Sequence, residues 1–370
     1  MKLIAKTFQG IEKVLYDELS KKNFKKPTIH IRAVSFEGDL FDLYRANYTL
    51  STALRILMLL KSEKITNEID LYKFLYSIKW NDFFSVNKSF RVDVTLTTNR
   101  FSNSLFLAQK AKDAIVDRFR KEINIRPSVD TLNPDVIIHI HINEKETNVY
   151  LDSSGETLNK RGYKHYTSEA PLNEVLARGL IKLAKWDAKT PLLDIMCGSG
   201  TIPIEAHYDA NNIPAGFLRK HYSFMNWNNF EKSLWEKVIY EENYKIKENF
   251  VNIIGLDINK FVILNAKKNI KRLPFLDNIT FNQRDFLDKP YSFSNGIIIS
   301  NIPYNERIQI NNVQNFYRKI GDMLKFNYST NSVWLLVKKD VSKYISLKPK
   351  IKIPLLNGKI ECTFNYYPLY

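Results

Sequence analysis

The stretch Pro191-Leu-Leu-Asp-Ile-Met-Cys-Gly-Ser-Gly-Thr-Ile-Pro-Ile-Glu205 constrains the fold most. Leu192, Leu193 and Ile195 make a short apolar run that reads as a buried strand. It carries an acid, Asp194, and breaks into a tight turn holding Gly198 and Gly200. A helix then begins at Thr201, with Pro203 in its first turn and Glu205 soon after. Strand, glycine turn and helix together let backbone approach a nucleotide-like ligand, because glycine puts no side chain in the way.

Several readings fit such a turn. A P-loop needs Gly-x-x-x-x-Gly-Lys-Ser/Thr, and no lysine follows here. A dinucleotide fingerprint needs a third glycine three residues after Gly200, where Pro203 stands. A site for S-adenosylmethionine uses an acid at the strand end, here Asp194, and a Gly-x-Gly turn. An ordinary strand-to-helix turn that binds nothing is equally compatible with the glycines alone. The downstream sequence adds weight to a ligand site. Asn252-Ile-Ile-Gly-Leu-Asp257 is a second apolar strand ending in an acid. Residues 278–285 make a third, ending in Asp285, and Gly296-Ile-Ile-Ile-Ser-Asn-Ile-Pro-Tyr304 a fourth. Strands with polar carboxyl ends, spaced by helical segments, predict an open α/β sheet with ligands at those ends.

Residues 150–310 resemble the THUMP-bearing ribosomal RNA guanine-N2 methyltransferases of bacteria. The resemblance rests on Leu-Asp-Ser-Ser-Gly-Glu-Thr-Leu-Asn-Lys-Arg-Gly-Tyr (151–163), Ala-Pro-Leu-Asn-Glu (170–174), residues 192–201 and Ser-Asn-Ile-Pro-Tyr-Asn-Glu-Arg-Ile (300–308). Weaker similarity covers the rest of the chain. The fold class implied is α/β. A C-terminal Rossmann-like class I methyltransferase domain with a terminal antiparallel hairpin follows an α+β ferredoxin-like and THUMP region. The expected domains are 1–52 (ferredoxin-like), 53–155 (THUMP, binding structured RNA) and 156–370 (methyltransferase).

Charge points the same way. The chain has 55 Lys+Arg against 39 Asp+Glu, a net +16. Residues 1–155 hold 24 basic and 19 acidic side chains, so most of the excess lies C-terminal. A basic balance favours nucleic acid or an anionic membrane as partner, though a general solubility charge looks the same. No apolar run approaches the ~18 residues of a membrane span. The N-terminus is too poor in apolar residues for a signal peptide, so a cytoplasmic protein is expected. Two cysteines, Cys197 and Cys362, exclude a disulfide framework, and no metal-ligand spacing surrounds them. No obligate protein partner is evident.

Along the chain, residues 2–8, 28–36 and 55–60 read as strands, with helices over 10–22 and from Asp39 to about Thr52. Leu105 to Lys121 is a strongly amphipathic helix. Its polar face carries Lys110, Lys112, Arg118 and Lys121, which suits phosphate contacts. Asp113 and Asp117 lie on the same helix, so an intrahelical charge network is the competing reading. Residues 153–168 read as a linker contributing Lys160 and Arg161 to RNA binding. The aromatic segment 209–250 is expected to pack rather than stack on bases. Asn357-Gly358 between alternating runs is a strong hairpin signal.

By resemblance, Asp194, Met196, Gly198, Gly200 and Thr201 shape the amino-acid end of an S-adenosyl-L-methionine site. Asp257, with Ile258, takes both ribose hydroxyls, and Asp285 with Phe286 holds the adenine. Asn301, Ile302, Pro303 and Tyr304 form the acceptor side. The Asn301 side-chain oxygen and the Ile302 carbonyl take hydrogens from an exocyclic amine. Pro303 fixes the loop, Tyr304 offers a stacking face, and Asn301 also borders the cofactor. The commoner family form is Asn-Pro-Pro-Tyr followed by Gly, so Ile302 and Asn305 depart from it. Asn-x-Pro-Tyr also occurs in adenine and amide methyltransferases, so a transfer RNA guanine or a nucleic-acid adenine is an alternative substrate. A catalytically silent RNA-binding assembly factor is the alternative of another class.

Overall fold

The computed structural model describes residues 1–164, 171–304 and 312–369. Alternation decides the first strand. β1 (Lys2–Lys6) turns Leu3 and Ala5 towards α1 (Glu12–Lys21), whose Leu15 and Leu19 meet them. β2 (Lys25–His30) and β3 (Ala33–Glu37) follow. The single strand expected over 28–36 is thus a hairpin, turned at Ile31–Arg32 with Arg32 left-handed at φ 56°. Asp39 caps α2 (Leu40–Thr49) reciprocally with Asp42, and β4 (Arg55–Glu63) completes a βαββαβ unit. Its order β2-β3-β1-β4, antiparallel throughout, is ferredoxin-like.

The second module comprises α3 (Glu68–Tyr76), β5 (Phe90–Thr97), α4 (Ser104–Ile123), β6 (Val136–Asn143) and β7 (Thr147–Asp152). β7 pairs with β4, so both modules share one sheet, β2-β3-β1-β4-β7-β6-β5. A boundary after residue 52 therefore precedes the strand that joins the two modules. Helices α1 to α4 contribute to one apolar cluster on one face of this sheet.

Residues 153–164 are not a solvated linker. Ser153 and Ser154 are buried and bond to Asn47 at 2.8 and 2.6 Å. Residues 165–168 of the expected linker lie outside the described residues. α5 (Glu174–Leu183) starts at an Asn173 cap, and Ala170 of the expected helix is also outside them.

Next come β8 (Leu192–Asp194), α6 (Thr201–Ala210), α7 (Lys232–Asn243), β9 (Ile253–Asp257), α8 (Lys260–Ile270), β10 (Ile279–Gln283), β11 (Ile297–Asn301), α9 (Val313–Asn327), β12 (Ser332–Lys338), β13 (Ile351–Asn357) and β14 (Ile360–Pro368). The second sheet runs β10-β9-β8-β11-β12-β14-β13. Its first five strands are parallel, and β14 is antiparallel to both neighbours. Asn357 pairs with Ile360, so the hairpin turn is Gly358-Lys359, one residue later than expected. Gly358 takes the left-handed position there (φ 65°). The aromatic segment packs as expected: Tyr222, Phe224, Trp227 and Trp235 join the N-terminal core around Tyr44 and Tyr48. No helix among the described residues is long and apolar enough to cross a membrane.

Candidate active site

Strand order reverses direction between β8 and β11, the point at whose carboxyl ends open α/β sheets take their ligands. Asp194 ends β8, Asp257 ends β9, Asp285 lies just beyond β10 and Asn301 ends β11. The sequence thus gathers its polar strand ends on one rim because parallel strands share a direction.

Asp194 is buried. Its Oδ1 accepts from the Ser300 hydroxyl at 2.6 Å and from the Met196 N–H at 3.3 Å. Burial pushes its carboxyl up to about 7, against the pull of those two bonds, and Asp257 adds to the rise. Asp257 accepts from the Gly198 N–H on one oxygen and the Asn259 N–H on the other, each at 2.9 Å. Burial raises this carboxyl also. Gly198 (φ 54°) and Gly200 (φ 86°) hold the turn in left-handed backbone. A Cβ on Gly200 would lie 2.8 Å from the Phe281 ring and 3.1 Å from Ala266, so only glycine lets α6 start this close to the sheet.

This donor set fits a cationic, ribose-bearing cofactor. Asp257 has two bonded lone-pair sites and two left, enough for two ribose hydroxyls. Ser199 Oγ, buried in the same turn, has no hydrogen-bond partner among the described residues. Ile258 stands exposed beside Asp257, Met196 is half-buried, and Thr201 opens α6. Asp285 is exposed and spends one oxygen on the Leu287 N–H at 2.8 Å. Phe286 is buried in the core cluster with Leu193, Ile195 and Leu256, its ring centroid 5.5 Å from that of Tyr328.

The acceptor loop follows β11. Ile302 donates its N–H to the Leu336 carbonyl at 3.0 Å and sinks its side chain into the core. The Pro303 carbonyl accepts from the Tyr317 hydroxyl at 2.7 Å. Tyr304 does not present an open face. It turns inward, packs beside the core, donates its hydroxyl to Asn301 Oδ1, and accepts from Asn357 Nδ2 at 3.2 Å. Asn305 lies outside the described residues. Ser300, Ser199 and Asn357 were missed from sequence. Ser300 could have been found by its place one residue before Asn301, but Asn357 carries no local signal.

The expected RNA-binding residues do not act alike. Lys112 pairs with Asp113 at 2.6 Å, and Arg118 with Glu122 at 2.6 Å. Lys110 and Lys121 rest over the rings of Phe106 and Tyr76. The α4 face is thus largely a charge network of its own. Lys160 is exposed. Arg161 is a further correction: it is buried, bonded to Glu205 at 3.3 Å and to the Leu158 carbonyl at 2.8 Å, and also to the Ser51 carbonyl. It joins the two halves of the chain and cannot meet RNA.

A parallel five-strand sheet with an antiparallel hairpin at one edge, a glycine turn at the switch point and Asn-x-Pro-Tyr at the next strand end define a class I methyltransferase. Comparison with known proteins narrows this. Residues 161–365 match the model of the RMKL-like methyltransferase domain, 66–152 that of the THUMP domain, and 2–57 that of the RlmL ferredoxin-like domain. The chain belongs to the RMKL-like methyltransferase family. It is 32% identical over 98% of its length to the candidate RNA methyltransferase slr0064 of Synechocystis sp., covering 95% of that protein. It is also 32% identical over its whole length to the ribosomal RNA large subunit methyltransferase K/L of Aliivibrio fischeri, and spans 53% of that longer protein. The solved structure of SMU.472, a candidate methyltransferase complexed with SAH, superposes with a TM-score of 0.88 at 25% identity, covering 100% of this chain and 98% of that one.

Proposed function

We propose that this protein methylates the N2 amine of a guanine in ribosomal RNA, in the large subunit and in the cytoplasm, with S-adenosylmethionine as donor. The carrying observation is the Asn301 carboxamide at the end of β11, on the same sheet rim as the Asp194 and Asp257 carboxyls, with a hydrogen already bonded to its oxygen. The ribosomal RNA methyltransferase of Aliivibrio fischeri and the SAH-bound structure support the substrate class and the donor.

The cofactor supplies a methyl group already activated on a sulfonium. Asp194, Gly198 and Gly200 would hold its amino-acid end, Asp257 its ribose and Asp285 its adenine amine. An exocyclic amine on guanine is a weak nucleophile because its lone pair is conjugated with the ring. Asn301 Oδ1 and the Ile302 carbonyl accept its two hydrogens, which turns the lone pair outward and stabilises charge as it develops. Tyr304 occupies Asn301 Oδ1 before the base arrives. Its hydroxyl must therefore give way to the amine, and the released ring can then stack on the base.

The test is single-turnover methylation of unmodified large-subunit ribosomal RNA, read by nucleoside mass spectrometry. N2-methylguanosine is expected. N6-methyladenosine would overturn the base assignment, and cofactor binding without any methyl transfer would mark a silent RNA-binding protein. Asn301→Ala should slow the step about 100- to 1,000-fold, the usual loss of one preorganised partner, with cofactor binding nearly intact. Tyr304→Ala should lose both RNA affinity and rate, because stacking contributes about 1–3 kcal/mol per base. Methylation by Asn301→Ala at the full rate would remove this loop from the mechanism.

A further inference from the structure

The seven-stranded N-terminal sheet has a second face. On it lie Lys2, Ile4 and Lys6 of β1, Ala33 and Ser35 of β3, Leu57 of β4 and Tyr150 of β7, opposite the side occupied by the helix-packed Leu3, Ala5, Val34 and Phe36. Ile4, Ala33 and Leu57, with Tyr150 against them, form a small apolar floor separate from the main core.

Charge divides this face in two. On the β4-β7-β6-β5 side it is internally matched. Arg55 pairs with Asp152, His139 bonds Asp152 at 3.1 Å, and Arg91 pairs with Asp93 at 3.0 Å. On the β2-β3-β1 side it is not. Lys2, Lys6 and Arg32 have no carboxylate partner among the described residues. Glu37, across from Lys2 in the register, is held by Lys26 at 2.9 Å. Glu12 gives its carboxylate oxygens to the backbone N–H groups of Gly10 and Arg32. The cations also feel one another. Partial burial and Arg32 hold the Lys6 ammonium below the usual lysine value. Partial burial, Lys2 and Lys6 lower His30, and partial burial and Lys6 lower His141 against an opposing pull from Glu146. Like charges gathered without an ion-pair partner of their own favour an anion from outside.

We infer that this β1–β3 cation cluster, Lys2, Lys6 and Arg32, and not the polar face of α4, is the main phosphate-gripping surface for RNA. The inference rests on the RNA-substrate reading above. RNA is favoured over a lipid surface because the cations stand beside a sheet face rather than along an amphipathic helix that could lie in a bilayer plane. A phosphodiester strand can run across such a face with a phosphate at each cation.

The experiment measures binding of a large-subunit ribosomal RNA fragment by fluorescence anisotropy between about 50 and 200 mM salt. It compares the wild-type protein with the combined variant Lys2→Gln, Lys6→Gln, Arg32→Gln. It also tests a combined Lys110→Gln, Lys112→Gln, Lys121→Gln variant. Each lost phosphate contact flattens the log–log salt slope by about 0.7–0.9. The first variant should therefore lose about 2 to 3 of slope and at least tenfold in affinity at low salt, and the second much less. Equal or larger loss in the α4 variant, or no change in the first, overturns the surface while leaving the RNA-substrate reading intact. A wild-type protein that binds cofactor but no RNA overturns both. Capture by phosphatidylserine vesicles that disappears in the first variant, with RNA binding unchanged, overturns it in favour of a membrane.

Discussion

Asp194 offers a sharp test because its buried carboxyl is raised from 3.8 to about 7. The folded protein therefore holds this proton more tightly than the unfolded chain. Below pH about 4 both states are protonated and the contribution to stability is fully present. Between about 4 and 7 only the folded state keeps the proton, so unfolding releases it and stability falls as pH rises. About three pH units at 1.36 kcal/mol each give a loss of about 4 kcal/mol by pH 8. Asp194→Asn removes the titration but keeps an oxygen that can accept from Ser300 and Met196. The variant should be as stable as wild type below pH about 4, more stable by about 1 kcal/mol near pH 4.5, and by up to about 4 kcal/mol at pH 8. Urea unfolding of the ligand-free proteins at pH 5, 6, 7 and 8 gives the difference directly. A difference flat across that range would refute the buried-acid account. Cofactor titration adds a second readout. A cationic ligand favours the ionised carboxylate, so wild-type affinity should weaken from pH 8 to pH 6, and the asparagine variant should lose that dependence.

Two other outcomes follow from the site and its support. Asp257→Ala should weaken cofactor binding measured by calorimetry, since charge-assisted bonds contribute about 1.5–3 kcal/mol each; unchanged affinity in a folded variant would take Asp257 out of the site. Arg161→Ala should destabilise the protein by about 1.5–3 kcal/mol in urea, because it removes one of the two guanidinium partners of buried Glu205 while Arg178 remains, yet keep RNA affinity in the folded protein; a variant of wild-type stability that binds RNA poorly would return Arg161 to the interface.

The polar strand ends were legible because a parallel sheet puts its carboxyl ends on one rim, so Asp194, Asp257 and Asn301 needed only a count of strands. What was not legible depends on distant partners. β4 reads as the start of a second domain because its two pairings, to β1 and β7, leave no local trace. Arg161 reads as a surface cation because Glu205, 44 residues on, is what buries it. Tyr304 reads as an open ring because Asn357, 53 residues away, helps hold its hydroxyl inside.

A net +16 says that phosphate is a plausible partner but not where it goes. Pairing sorts the cations. Arg45 meets Glu242 at 2.7 Å across the seam between α2 and α7. Arg178 bonds Glu205 at 3.2 Å and Asp209 at 3.0 Å, and Lys182 shares Asp209. Arg219 donates to the carbonyls of Ser154, Glu156 and Thr157. Arg45 and Arg219 are thus committed to the seam between the halves, where Tyr48 adds a bond to Asn243 at 2.7 Å, while Arg178 and Lys182 tie α5 to α6. A seam held by buried, charge-assisted bonds does not behave as a flexible tether. RNA gripped by the N-terminal sheet would then reach the Asn301 loop across a fixed span. On this reading the choice of nucleotide depends on RNA shape between the two sites as well as on the base that enters the crevice.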